Sequence, residues 1–316
     1  MNKKVVVIGG GHGQSAICRG IKNIPGIDIS AIVTVADDGG STGRLRRKFH
    51  IPAMGDIRNV MISLAESETL MAKLMDYRFE DEYGTAEDVA GHNLGNLILT
   101  AMTQQCGSFF DAVQIAGRVL NVKGRIIPAT TQVITLYAQM GDGVVVKGEA
   151  NIPNHSNRIQ RVFYDVPVHA TPESVEAIEN ADLIIYGIGS VYTSILPNVI
   201  IPEIRQALEH TKAEKIYFCN AMTQPGETDG YTMEDHVKAL MDHGAKIDAV
   251  LMADDPIPEI ALQRYLAQHS IPVITAGKKH DYKVITKSLL NIDPDGLIRH
   301  DSGKIQEAVR ELVENC

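Results

Sequence analysis

The chain has 316 residues, 44% of them hydrophobic, with a mean hydropathy of −0.04, a size that supports one large core or two modest domains. A net charge of −9 and a pI near 5.7 argue against a nucleic-acid-binding surface, which usually needs a basic face, and leave local spots such as Arg44 to Lys48 for anions. Its four cysteines are far apart and form no CxxC pair, so neither a zinc site nor a disulfide framework is indicated. Met1 to Lys4 run straight into a short strand, too little for a signal peptide or a membrane span, and a reduced cytoplasmic protein is expected.

Lys4 to Ile8 reads as a buried strand and is followed at once by Gly9-Gly10-Gly11-His12-Gly13. Ser15 to Ile21 has helical apolar spacing, and Ile29 to Val35 is the next strand. This β–glycine loop–α–β unit aims backbone amides and a helix N-terminus at an anion. Gly11 to Ala16 matches GxGxxA, and Asp37 stands where a ribose-binding acid would sit, yet the residues after Asp37 do not belong to a dinucleotide site.

Those residues are the most unusual in the chain: Asp37-Asp38-Gly39-Gly40-Ser41-Thr42-Gly43-Arg44-Leu45-Arg46. Ordering such a segment is costly because glycine loses the most backbone freedom on folding. It reads either as a long polar turn or as a phosphate and metal loop. In the second reading the glycines admit an anion, Arg44 pairs with phosphate oxygens, and Asp37 and Asp38 hold Mg²⁺ or take a proton.

Asp56 and Asn59 follow Gly55 ahead of a helix through Val60 to Leu64, and Asp56 reads as either an N-cap or a site residue. A helix over Leu70 to Tyr77 leads into the acidic stretch Glu80 to Asp88. His92, Asn93 and Asn96 lie between glycines at the start of a helix carrying Leu97, Ile98, Ala101 and Met102. They suit ligand contact or a buried capping network. A further helix covers Phe109 to Leu120. From Arg125 the period changes to two, and Val133, Thr135 and Tyr137 with Val144 to Val146 across Met140 to Gly143 predict a β-hairpin. Residues 125–168 are read as a small β-rich insertion in a single domain spanning residues 1–316.

The α/β rhythm then resumes with a helix over Pro172 to Asn180 and a strand over Leu183 to Tyr186. That strand opens into a second glycine and hydroxyl loop carrying Gly187, Gly189, Ser190, Tyr192, Thr193, Ser194 and Asn198. A helix from Pro202 and a strand over Lys215 to Phe218 lead to Asn220, Thr223 and Gln224 in a third polar loop. A helix over Met233 to His243, a strand over Asp248 to Met252 ending in Asp254-Asp255, and a helix over Glu259 to Gln268 follow. Short strands and a helix over Lys304 to Val313 close the chain. Tyr265 could stack on a base or sugar and Arg299 could hold a phosphate, against the alternative of a packed tyrosine and a solvated arginine. Polar, glycine-rich loops at several strand ends predict one crevice on a Rossmann-like, doubly wound, mostly parallel sheet.

Taken together, Gly9 to Gly13, Thr34 to Arg46, Gly55 to Asn59, Gly91 to Leu97, Gly187 to Asn198 and Cys219 to Thr228 resemble the gluconeogenesis-factor family (YvcK), within the group that includes 2-phospho-L-lactate transferase (CofD). His12 departs from that pattern, where the family more often has threonine, so a hydroxyl contact there would be lost. The resemblance implies a nucleotide diphosphate ligand. In the transferase branch phospholactate passes from a guanosine diphosphate donor to a deazaflavin hydroxyl with Mg²⁺, and Asp37, Asp38 and Asp56 match that branch's acidic residues. The factor branch is associated with UDP-linked sugars such as UDP-N-acetylglucosamine and with cell shape and envelope synthesis on gluconeogenic carbon sources. The segments around Asp37 and Asn220 look like the factor branch, which implies a cytoplasmic nucleotide-sugar-binding regulator, a homo-oligomer with an envelope-synthesis protein as partner.

Overall fold

Val5, Val6, Val7 and Ile8 are buried, which places β1 (Lys3–Gly9) at the heart of a sheet covered on both faces. The computed structural model describes residues 2–66, 70–80 and 88–315, so most of the acidic stretch expected over Glu80 to Asp88, and Cys316, lie outside the described residues. After β1 come α1 (Gly11–Ile21), β2 (Ile27–Val33), α2 (Gly40–Phe49), α3 (Gly55–Leu64), α4 (Leu70–Asp76), α5 (Leu94–Cys106), α6 (Phe109–Val119) and β3 (Arg125–Pro128). Next is a small antiparallel sheet of β4 (Tyr137–Met140), β5 (Val145–Lys147) and β6 (Ile159–Phe163), with a 3₁₀ segment at Glu149–Asn154. The second half runs α7 (Pro172–Glu179), β7 (Leu183–Tyr186), a π-helical turn at Val191–Ile195, α8 (Leu196–Val199), α9 (Pro202–His210), β8 (Glu214–Phe218), α10 (Met233–Asp242) and β9 (Ala249–Ala253). It ends with α11 (Glu259–Leu266), β10 (Lys283–Lys287), β11 (Leu290–Ile292), β12 (Ile298–His300) and α12 (Ser302–Asn315).

The main sheet has seven strands in the order β10-β9-β8-β7-β1-β2-β3, and every pairing in it is parallel. The chain winds outward from β1 through β2 to β3, then returns to the other side of β1 and winds the opposite way. Strand order therefore reverses between β1 and β7, and such a reversal opens a crevice at the carboxyl ends of the strands. The loops after Gly9, Val33, Tyr186 and Phe218 all leave from that edge.

Four expectations are corrected. Arg125 to Pro128 is not part of the insertion: Ser30 to Val33 of β2 pair with it in parallel register, making it the edge strand of the main sheet. The segment after Asp38 is not a continuous loop, because a helix begins at Gly40, which turns the chain at φ +45. Its glycines disfavour helix in isolation, but Leu45 and Arg46 are buried, and the guanidinium of Arg46 donates to the carbonyls of Asp37 (2.8 Å), Ala36 (3.2 Å) and Ile134. Arg46, Arg47 and Lys48 also occupy the last turn, where cations complement the helix dipole. Likewise Gly187 to Asn198 is loop only as far as Ser190, whose side chain then caps the π-helical turn through the amide of Thr193. Lys283 to Lys287, expected among the short strands of the tail, joins the main sheet beside β9.

Candidate functional site

Glycines hold the two halves of the crevice together. Gly10 precedes α1 in extended conformation, and Gly11 takes φ +60. A Cβ on Gly13 would lie 1.9 Å from the carbonyl oxygen of Ile188, so only glycine lets the first turn of α1 rest on the loop after β7. On that loop Gly189 has φ +139. Asn220, from the loop after β8, donates to the Gly189 carbonyl at 2.9 Å and accepts from its N–H at 3.3 Å. Asn198 donates to the carbonyl of Gly9 at 3.0 Å, fastening the end of β1 to α8. Gly187 is buried against Ile8, while His12 is exposed at the start of α1 and Ser194 lies half-buried near Gly189. The first turn of α1 opens beside these loops, and a helix N-terminus at such a place is suited to an anion.

A second group of helix starts gathers on the other side of β1. Asp37 accepts the N–H of Gly39 at 2.9 Å and is hydrogen-bonded by Thr42. A Cβ on Gly55 would sit 2.7 Å from Oγ1 of Thr42 and 2.9 Å from Oδ2 of Asp37, so α3 starts directly against this carboxylate. Asp56 is not the N-cap of α3: the cap is Met54, and Asp56 lies in the first turn. Its carboxyl instead accepts the backbone N–H of Gly11 and stands where a Cβ on Gly10 would meet Oδ2 at 2.5 Å. Ser41 and Thr42 face the start of α5: Ser41 Oγ is 3.0 Å from Nδ1 of His92 and accepts from Asn96 at 3.3 Å, and Thr42 accepts from Asn96 at 3.4 Å. Asn93 caps α5 through the amide of Asn96 at 3.3 Å. These contacts form a network that links α5 to α2. Arg44 donates to the carbonyl of Ala90 at 2.8 Å, and Asn59 accepts from Arg58 at 2.6 Å.

Acidic side chains crowd the same place. Burial and the neighbouring Asp37 push the Asp56 carboxyl up to about 7. Burial, with the charges of Asp37, Asp56, Glu227 and Asp38, pushes Glu149 up to about 8. Asp37 is raised by desolvation, against hydrogen bonds from Gly39 and Thr42 that lower it. Asp38 differs: one oxygen accepts the N–H of Ala150 at 3.0 Å, and a Cβ on Gly148 would meet the other at 2.7 Å. Arg46, a buried cation, donates from both terminal guanidinium nitrogens to backbone carbonyls. Among the described residues no group of three or more His, Cys, Asp or Glu is placed to enclose a metal ion. The donor set still suits Mg²⁺ held by one or two carboxylates with the remaining positions filled by phosphate oxygens.

Three of the expected residues are engaged elsewhere, and a fourth, Arg299, lies apart on β12. Tyr192 turns to the small sheet and α10, its hydroxyl 2.8 Å from that of Tyr231. Thr223 pairs through backbone and side chain with Ile271, at 2.8 and 2.9 Å. Tyr265 packs against β12, its hydroxyl bonded to the amide and carbonyl of Ile298, and Arg299 is exposed on that strand. For Tyr265 the packed alternative is what the hydrogen bonds describe. Two residues were not anticipated. Glu227, buried, gathers Ser190, Thr193 (3.1 Å) and Gln224 (2.7 Å) around its carboxylate. Glu149 arrives on the insertion, where no sequence spacing relates it to Asp37. The signal for Glu227 was its place in the Cys219 to Thr228 segment.

A cleft of about 630 Å³ lies at the opposite edge of the sheet, among Lys4, Ile27, Lys123 and Arg125 at the amino ends of β1 to β3, away from these loops. No helix among the described residues is long and apolar enough to cross a membrane.

Residues 5–290 match the family described as 2-phospho-L-lactate transferase CofD. The chain is 44% identical over 317 residues to the gluconeogenesis factor of Bacillus subtilis, covering 98% of each chain. It is 43% identical to that of Halalkalibacterium halodurans, covering 98% of this chain and 96% of the relative. A putative gluconeogenesis factor of Thermotoga maritima is 43% identical over 315 residues, 98% of this chain and 99% of the relative. A crystal structure of a Bacillus halodurans protein superposes with a TM-score of 0.92 at 42% identity, covering 98% of this chain and all of that one.

Proposed function

The chain belongs to the 2-phospho-L-lactate transferase CofD family, and within it we propose that the protein works as a gluconeogenesis-factor-type binder of a nucleoside diphosphate sugar of the UDP-N-acetylglucosamine class. The observation that carries this reading is the switch point itself. Gly10, Gly11 and Gly13 bring the amides of α1 against Gly189, leaving a backbone-lined seat for a diphosphate between β1 and β7. Ser41, Thr42 and Arg44 at the start of α2 extend that polar wall. The ligand would shift the protein between two states that a partner in envelope synthesis reads, linking cell shape to growth on gluconeogenic carbon. A cytoplasmic homo-oligomer is the form we propose for it.

A second reading, phospholactate-type transfer from a guanosine diphosphate donor, is favoured by one observation: a carboxyl whose proton affinity lies near neutrality, Asp56, stands beside Asp37 at the start of α3. Mg²⁺, when bound, would neutralise phosphate charge. Asp37, backed by Thr42 and the amide of Gly39, would hold it, and Asp56 would accept the proton of an attacking hydroxyl. Asp38 contributes less in this reading, because its oxygens face the insertion.

Thermal shift separates the two readings. A ligand at a hundredfold excess over Kd adds about 2.7 kcal/mol, or roughly 5 °C for a chain of this size. UDP-N-acetylglucosamine is expected to raise the midpoint more than UMP or free N-acetylglucosamine. A shift with guanosine diphosphate compounds and none with UDP-sugars overturns the binder reading in favour of the transferase, as would release of monophosphate in the presence of Mg²⁺.

A further inference from the structure

β2 changes character along its length. Ile27-Asp28-Ile29-Ser30 alternates apolar and polar, with Asp28 exposed and Ser30 half-buried, whereas Ala31, Ile32 and Val33 are apolar and buried. A parallel sheet covered by helices on both faces reads as an unbroken apolar run, so the alternation marks one face left open at the amino half of the sheet. The register identifies that face: Lys4 stands beside Asp28, Val6 beside Ser30, and Ser30 beside Arg125. Glu176, Ala177 and Asn180 of α7 wall it, and Lys123 lines it just ahead of β3, closing a cleft of about 630 Å³, the size of a small-molecule site.

The charge of this cleft runs against that of the chain. The protein carries −9 overall, yet Lys4, Lys22, Lys123 and Arg125 line the cleft against Asp28 and Glu176 alone. Lys22 donates to the carbonyl of Ala65 at 2.6 Å and Asp28 accepts from Asn2 at 2.9 Å. Lys123 donates to Oδ1 of Asn23 at 3.0 Å, a neutral partner that leaves its charge uncancelled. Among the described residues the side chains of Lys4, Arg125, Ser30 and Glu176 have no hydrogen-bond or ion-pair partner. Cations gathered in a hollow without counter-ions suit an anion, and the planar fork of Arg125 matches two phosphate oxygens at once. Glu176 and Ser30 add nothing to a phosphate grip; what their oxygens accept is a hydroxyl proton. We infer that this cleft binds a sugar phosphate, with the phosphate held by Arg125 and Lys123 and the sugar hydroxyls by Glu176 and Ser30. It is a second site: the seven residues of β1, roughly 20 Å of strand, separate it from the crevice at the carboxyl edge.

The test is calorimetric titration of the whole protein with glucose 6-phosphate, ribose 5-phosphate, inorganic phosphate and glucose. At least one of the sugar phosphates is expected to bind about tenfold or more tightly than inorganic phosphate or glucose, the scale of one hydrogen bond to a charged group. Arg125→Ala and Lys123→Ala should each weaken sugar phosphate and inorganic phosphate together, again by about tenfold, and Arg125→Lys, which keeps the charge and loses the fork, should recover part of the loss. Glu176→Gln, on a different element, should weaken the sugar phosphate while inorganic phosphate binds as well as before or better. Arg125 and Glu176 are both exposed, so neither substitution threatens the fold, and the melting midpoint of each variant checks this. No measurable binding of either sugar phosphate would overturn the inference. So would equal affinity for inorganic phosphate and both sugar phosphates, the behaviour of an unselective anion patch. A loss of sugar-phosphate binding in Arg44→Ala matched by none in Arg125→Ala would place that ligand in the crevice and overturn it as well.

Discussion

Gly13→Ala probes the junction on which the binding site rests. The added methyl would lie 1.9 Å from the carbonyl oxygen of Ile188 and 2.9 Å from the amide nitrogen of Gly189. Both are backbone atoms, so no side-chain rotation relieves the clash. Reaching ordinary contact near 3.4 Å requires α1 and the loop after β7 to separate by about 1.5 Å. Overpacking of this kind costs about 2–3 kcal/mol, lowering the melting midpoint by roughly 4–6 °C. The same displacement opens the diphosphate seat, so binding of UDP-N-acetylglucosamine should weaken tenfold or more. Gly26→Ala is the control. Gly26, at φ +76, has open space around its Cβ position and lies at the amino edge of the sheet, where its carbonyl accepts from Lys3. It should lose about 1 kcal/mol from backbone strain and none of the ligand affinity. The two variants are compared by scanning calorimetry and titration calorimetry. Full affinity in Gly13→Ala, or equal affinity losses in both variants, would refute the placement of the ligand at the β1–β7 junction.

Arg44→Ala should weaken nucleotide binding by about 1.5–3 kcal/mol, the scale of a charged hydrogen bond; unchanged affinity with the fold intact would leave Arg44 as a tether for Ala90 only. The double change Asp37→Asn with Asp38→Asn should abolish any Mg²⁺ dependence of ligand binding, and indifference of the unaltered protein to chelator would refute a metal role for either. The pH dependence has a definite sign. Asp56 and Glu149 rise from 3.8 and 4.5 to about 7 and about 8, so the folded chain binds protons more tightly than the unfolded chain between those values. Their contribution is greatest below about pH 4 and is lost as pH rises through 7 and 8. Discounted for the solvent both carboxyls retain, the loss is on the order of 2 kcal/mol. The melting midpoint of the ligand-free protein should fall from pH 6 to 8.5, and Asp56→Asn should flatten that slope; an equal slope in the variant would remove Asp56 as its source.

Much of this architecture is legible one segment at a time. Val5 to Ile8 and Leu183 to Tyr186 are uninterrupted apolar runs, and such a run needs both faces covered, which points to a parallel sheet with helices on each side. The glycine clusters after those two strands also identify themselves, because the conformations at Gly11 and Gly189 are ones that other residues rarely adopt. What a sequence does not carry is which distant groups meet. Gly40 to Phe49 is helical because Arg46 reaches the carbonyls of Ala36, Asp37 and Ile134 from other elements, a gain that no local propensity contains. Asp56 reads as a cap or a site residue from its position, and its carboxyl meets the amide of Gly11 only because α1 and α3 pack together. Thr223, read as a ligand contact, and Tyr265, read as either a ligand contact or a packed tyrosine, are held by Ile271 and Ile298 once the chain has closed on itself. Glu149 and Asp37 are separated by the whole helical middle of the chain and the first strands of the insertion. Only the folding of that insertion onto Asp38 and Gly226 places their charges together, and the energy of bringing like charges into one crevice is a property of the tertiary structure alone.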